Sequence, residues 1–193
     1  MYHERTLPRN VILAATWLLL GLALGLHFPD IDSRLNRLLP SWLLLHRSIL
    51  THGMLASLLL LWLIRRRKGA APSLRLFAIG FSLAVAVHLC FDFFPKEWRG
   101  FALIHIPLYG RTTAVFSQAW VLISIVGCLY LGFLLVRNVA ELALNVVSLI
   151  ISFAVSAAEN DRAVSKAFLL LAFATVVTII IVRPARKARA RRA

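Results

Sequence analysis

Leu76-Phe77-Ala78-Ile79-Gly80-Phe81-Ser82-Leu83-Ala84-Val85-Ala86-Val87-His88-Leu89-Cys90-Phe91-Asp92 is the stretch on which the fold turns. Residues 76–91 contain no Asp, Glu, Lys or Arg. A helix rises about 1.5 Å per residue, so about 20 mostly apolar residues cross roughly 30 Å of hydrocarbon, and long flanking side chains extend a shorter run. The run lacks the apolar/polar alternation of a barrel strand, which leaves a helix as the way to satisfy its backbone in lipid. His88 and Asp92 stand one helical turn apart at its end and share a face. Ionisable groups in a span are costly, usually turn to the bundle interior, and are functional by default.

Five further runs, residues 10–28, 48–64, 112–136, 142–158 and 167–182, are equally free of those four residue types. The expectation is an all-α, polytopic transmembrane helix bundle of about six spans. It fills residues 1–182 as one domain, and residues 183–193 form a basic, disordered cytoplasmic tail. The fifth run is the least secure, because Arg137, Asn138 and Glu141 crowd its start. Composition agrees: 193 residues are 60% hydrophobic and 16% charged, with a mean hydropathy of +0.80. That excludes a water-soluble enzyme and a disordered chain. Cys90 and Cys128, the two cysteines, both lie in apolar runs and suggest small buried hydrophobes rather than a disulfide, redox or metal site. Gly21 and Gly25 are one turn apart, as in close helix packing; the alternative reading of the first run is a signal peptide, with Arg5 and Arg9 before it and the small pair Ala23 and Gly25 near its end.

The net charge of +14 is distributed as in a membrane protein. With six spans, 14 of the 22 basic residues fall with the termini and the second and fourth loops, and the other eight fall opposite. Positive residues stay inside, so both termini are expected in the cytoplasm. The Arg/Ala tail then suits anionic lipid; no aromatic interleaving accompanies it, so no nucleic-acid partner is expected.

Three polar clusters sit at the outer ends of these helices. Helix one ends in His27-Phe28-Pro29-Asp30-Ile31-Asp32-Ser33, where proline stops the helix and two carboxylates at i and i+2 can turn to one centre. Turn chemistry is the other reading, with Asp32 or Ser33 capping a short interfacial helix. The second run begins His46-Arg47-Ser48-Ile49-Leu50-Thr51-His52-Gly53, either a polar entry turn or a convergence of His46 and His52. His88 and Asp92 complete the set. Asp30, Asp32, His46, His52, His88 and Asp92 are the expected metal ligands, suited to a divalent transition metal, zinc first and manganese or iron next. Arg47 is the candidate anion clamp, because its forked guanidinium matches a phosphate or carboxylate. His105, in the same outer loop system, is a candidate general acid. No role is assigned to His27.

Pro29-Asp30-Ile31-Asp32, His46-Arg47 with Thr51-His52, and His88 with Asp92 together resemble the membrane-bound, metal-dependent hydrolases of the YdjM type. The likeness covers about residues 20–100. It implies several transmembrane helices and a metal site built from Asp30, Asp32, His46, His52, His88 and Asp92. The chain departs from that pattern at Gly53, where serine is usual, and in having no histidine within residues 10–26.

The expected function is a metal-dependent hydrolase at the outer face of a bacterial inner membrane, acting on a lipid-linked phosphoester or another lipid ester. Its partners are membrane lipids and a lipid-like substrate. A metal-ion transporter or sensor uses the same ligands differently, but the inner halves of the helices offer few ionisable groups and no second cluster. A structural membrane subunit is the third alternative.

Overall fold

The computed structural model describes residues 11–40, 44–66, 72–95, 98–160 and 163–190, the last eight and residue 11 by backbone alone. It is an all-α bundle: α1 Val11–His27, α2 Ile31–Leu35, α3 Leu55–Arg66, α4 Pro72–Asp92, α5 Ala114–Leu134, α6 Val139–Glu159 and α7 Val164–Ala190. Two short strands, β1 His105–Ile106 and β2 Gly110–Arg111, form a hairpin between α4 and α5.

The helices α4, α5, α6 and residues 164–182 of α7 are long and apolar enough to cross a membrane. The span count is therefore about four among the described residues, not six. The run at 48–64 fails because its first seven residues fold into turns, leaving α3 with 12 residues. At about 1.5 Å each these reach about 18 Å, short of roughly 30 Å of hydrocarbon. α1 is apolar but has 17 residues. The fifth run, by contrast, lies within a full 21-residue helix, α6, whose start is capped by the Asn138 side chain accepting from Glu141 N–H at 2.8 Å. The backbone of residues 183–190, expected in a disordered tail, continues α7; residues 191–193 lie outside the described residues.

α4 is the axis of the bundle. Its apolar window is 83% buried, against 39%, 28% and 22% for the other three span-length helices, so those three put much of their apolar surface on the outside. α6 shows this most plainly. Its buried residues are Glu141, Asn145, Ser148, Ser152 and Ser156, while Val146, Val147, Ile150, Ile151 and Val155 are exposed. Polar inside and apolar outside reverses the helix of a water-soluble protein and fits a helix solvated by lipid.

α1 crosses α4 through glycine. A Cβ on Gly21 would run into the Phe77 carbonyl, and one on Gly80 into the Leu18 carbonyl, so the helix-packing reading of Gly21 holds. Overpacking of this kind costs about 1–3 kcal/mol. Gly21→Leu is expected to lower the thermal midpoint in detergent more than Gly21→Ala does; equal midpoints would mean that α1 does not depend on this crossing.

The hairpin is stitched to the start of the second apolar run. His105 N–H donates to Arg47 O at 2.9 Å, and Ile49 N–H to His105 O at 2.8 Å. These bonds hold residues 47–49 away from helix, and Arg47 takes a φ of 64°, a left-handed conformation that costs a non-glycine residue on the order of 1–2 kcal/mol.

Candidate metal centre

The end of α1, the turns at 46–53 and the end of α4 meet at one place. Asp32 lies at the centre and is fully buried. Its Oδ2 accepts from Thr51 Oγ1 at 2.6 Å and Ser48 N–H at 3.0 Å and faces His52 Nδ1 at 3.1 Å. Its Oδ1 faces His46 Nδ1 at 3.2 Å. Those four partners use about all the lone pairs a carboxylate has. Asp32 is thus occupied within the protein and orients two histidines. Burial alone would raise its pKa, but the hydrogen bonds from His46, His52 and Thr51 overcome that and hold it below the ordinary carboxylate range.

His52 is 1% exposed and reads in two directions. With Nδ1 engaged by Asp32, Nε2 is turned to Asp92 Oδ2, 3.2 Å away. The two buried atoms face each other as an ion pair, with no well-aligned hydrogen bond to either. His88 repeats the arrangement: Nδ1 lies 2.8 Å from Leu26 O, and Nε2 is 3.4 Å from Asp92 Oδ2 and 3.8 Å from Asp30 Oδ2. A carbonyl accepts only from Nδ1–H, which puts a proton on His88 Nδ1 and turns Nε2 to the carboxylates. Two histidines are therefore anchored at Nδ1 so that Nε2 of each points to a common centre with Asp92 and Asp30.

Ligand atoms of Asp30, His52 and His88 lie within 4.8 Å of one another, as do those of Asp32, His46 and His52. Both sets could hold a metal by distance. The first is favoured, because the second is joined by its own hydrogen bonds, whereas in the first the Nε2 atoms of His52 and His88 both face Asp92 Oδ2 without a well-aligned hydrogen bond.

All six expected ligands are brought together, but in two roles: Asp30, His52, His88 and Asp92 as candidate ligands, Asp32 and His46 behind them. Arg47 is tied to the end of α4. Its Nη2 donates to Asp92 Oδ1 at 3.1 Å, and its Nη1 to the carbonyls of Asp92 and Ala102 at 3.3 and 3.2 Å. Its Nε has no hydrogen-bond partner, and the residue lines the cavity beside the cluster. His105 acts through its backbone; its side chain is buried with Nδ1 unpartnered and is not among the residues lining the cavity at the cluster. Burial, and Arg111 after it, push its pKa down.

That cavity, about 700 Å³, runs from the cluster to the ends of α6 and α7. Asp30, Arg47, His88 and Asp92 form its polar wall, and Phe91, Phe94 and Val155 much of its apolar one. Lys166, exposed on the first turns of α7, stands among its linings. Lys166 could not be singled out beforehand, since nothing in its spacing links it to residue 88. Gly53 has a local cause: a Cβ there would lie 2.8 Å from the Trp120 indole, whose Nε1–H donates to His52 O at 2.9 Å.

His52 lies in the turns before α3, outside the four span-length helices. Burial would lower its pKa, but Asp32 and Asp92 raise it to about 9. A raised pKa stabilises the folded chain fully below the ordinary value of 6.5, and the gain is lost as pH rises through about 9. With metal removed by a chelator, thermal midpoints are expected to fall over that window; a flat profile would show that His52 is not charged in the folded chain.

No family model, no curated protein and no solved structure matches this chain.

Proposed function

We propose that the chain is a metal-dependent hydrolase of the bacterial inner membrane, acting on a lipid-linked phosphoester or another lipid ester. The observation that carries this reading is the convergence of His52 Nε2 and His88 Nε2 on Asp92 Oδ2, at 3.2 and 3.4 Å, where three chain segments meet. Asp30, His52, His88 and Asp92 would hold the metal, zinc by preference and manganese or iron next, since imidazole and carboxylate suit all three. Such a metal supplies water activation, bringing the pKa of water down towards about 7. Asp32 keeps His52 in the Nε2-presenting tautomer, Leu26 O does the same for His88, and Arg47 fixes Asp92.

The substrate class follows from the cavity. Its apolar wall suits an acyl or isoprenoid chain, and Lys166 offers a cation for an anionic head group. The resemblance to YdjM-type membrane hydrolases supports the same reading, and Arg65, Arg66, Arg75 and Arg137, at the helix ends away from the cluster, favour an outward-facing cluster by the positive-inside rule. The test is release of phosphate or fatty acid from lipid esters in mixed micelles by the purified chain. Turnover is expected with zinc or manganese and not with chelator. A metal-ion transporter or sensor is the second reading, favoured by the buried Arg75–Glu141 pair at the start of α4, the second ionic group that the sequence did not reveal. Metal uptake into vesicles without ester turnover would favour it.

A further inference from the structure

Glu141, Asn145, Ser148, Ser152 and Ser156 are spaced four, three, four and four residues apart, and so form one line along α6. The line is about 22 Å long at about 1.5 Å per residue. At one end Glu141 takes two bonds of 2.6 Å from the Arg75 guanidinium; at the other, Ser156 lines the cavity. All five residues are buried, and α6 packs on α4, so the line is covered by this chain and not left for a second copy.

Close helix packing accounts for serines, which are small. It does not account for Asn145. This residue is 1% exposed, and neither its amide nitrogen nor its amide oxygen has a partner. Alanine would pack at least as closely without stranding two polar atoms in a lipid-solvated bundle. Ser152 Oγ is unpartnered too, whereas Ser148 donates to Leu144 O at 2.8 Å. The facing helix repeats the feature. Arg75 meets Glu141 near the start of both helices, and the Phe91 and Phe153 rings are 5.3 Å apart further along, so α4 and α6 run side by side in the same direction. Ser82, two turns beyond Arg75 on the same face of α4, comes level with residues 145–148; it is 1% exposed and unpartnered.

Buried polar atoms left without protein partners are the usual seats of internal water, which needs two to four such neighbours. We infer that the seam between α4 and α6 holds a file of internal water molecules leading from the cavity at the His/Asp cluster to the Arg75–Glu141 pair, which closes it. Asn145 offers two donors and an acceptor, and the hydroxyls of Ser82, Ser148, Ser152 and Ser156 each donate and accept, so every step of the file has a partner on the wall. The path stands whether or not the cluster is catalytic, because no part of it depends on turnover.

Silver ion tests this, since it travels in water rather than hydrocarbon and consumes thiols. In the full chain with Cys90→Ala and Cys128→Ala, reconstituted in phosphatidylcholine vesicles, single cysteines are introduced as Ser156→Cys, Ser152→Cys, Ser148→Cys and, on the lipid face, Ile151→Cys. After silver exposure the chain is denatured and remaining thiols are alkylated and counted by mass. Ser156→Cys, Ser152→Cys and Ser148→Cys are expected to lose their thiols while Ile151→Cys keeps its own. Loss at Ser156→Cys alone would end the water at the cavity and overturn the path. A second variant guards against access from elsewhere: Ser152→Val added to Ser148→Cys is expected to restore the thiol at 148. Continued loss there would mean that water does not come along this seam.

Discussion

A chain carrying His88→Ala and Asp92→Ala, purified in detergent with neither added metal nor chelator, will contain no transition metal, whereas the native chain will contain one ion per molecule. One ion is expected because ligand atoms of Asp30, His52 and His88 cluster with Asp92 Oδ2 against two of them, whereas the Asp32, His46 and His52 set is joined by its own hydrogen bonds. Removing a residue that only orients a ligand typically costs about 10–100-fold in metal affinity, and here two direct ligands go at once. Asp92→Ala also leaves the buried Arg47 without its carboxylate, so Asp92→Asn serves as the companion variant: its amide oxygen still accepts from Arg47. Asp32→Asn should weaken metal binding without abolishing it, because Asp32 acts through His52. Lipid ester turnover should disappear with the metal. Elemental mass spectrometry on monodisperse samples decides; a double variant that keeps its ion would remove the metal centre from this cluster.

Glu141→Ala will be the most destabilising single change away from the cluster. Arg75 and Glu141 are 4% and 1% exposed and joined by two bonds of 2.6 Å; Arg75 Nη1 also donates to Leu135 O at 3.0 Å, and Glu141 accepts from Arg137 N–H at 2.7 Å. Deleting one partner leaves a buried charge uncompensated, a loss of about 3–5 kcal/mol in comparable cases. The double change Arg75→Met, Glu141→Met removes both charges and should regain most of that. Thermal unfolding in detergent of the single and double variants tests it. A double variant as unstable as Glu141→Ala would locate the loss in the backbone contacts of Leu135 and Arg137 instead.

The helical class was legible because runs such as 76–91 are too long, too apolar and too free of alternation for anything else. The convergence of His88 and Asp92 was legible from their one-turn spacing. What could not be read was any property that depends on a distant partner. The run at 48–64 is uniformly uncharged, yet its first part is drawn into turns by Asp32 and by the backbone of His105, 57 residues downstream. Ser48, Thr51 and Gly53 were the local hint. Asp30 and Asp32 look alike in sequence and separate only once their neighbours are known: Asp32 is fully buried on internal partners, whereas Asp30 is half exposed beside His88. Arg75 and Glu141 each resemble an ordinary charge at the end of a span until α4 and α6 lie side by side.

The reversed faces of α6 bear on the chain's fate outside the bilayer. Val146, Val147, Ile150, Ile151 and Val155 make up one uninterrupted outer strip, and α5 and α7 carry similar surface in Ile123, Phe168, Leu169 and Phe173. Contiguous apolar area of this kind drives association in water. A correctly folded copy stranded in aqueous solution would still clump, so delivery to the membrane must precede or accompany folding, and a failure of insertion would be seen as inclusion bodies rather than as an inactive soluble form.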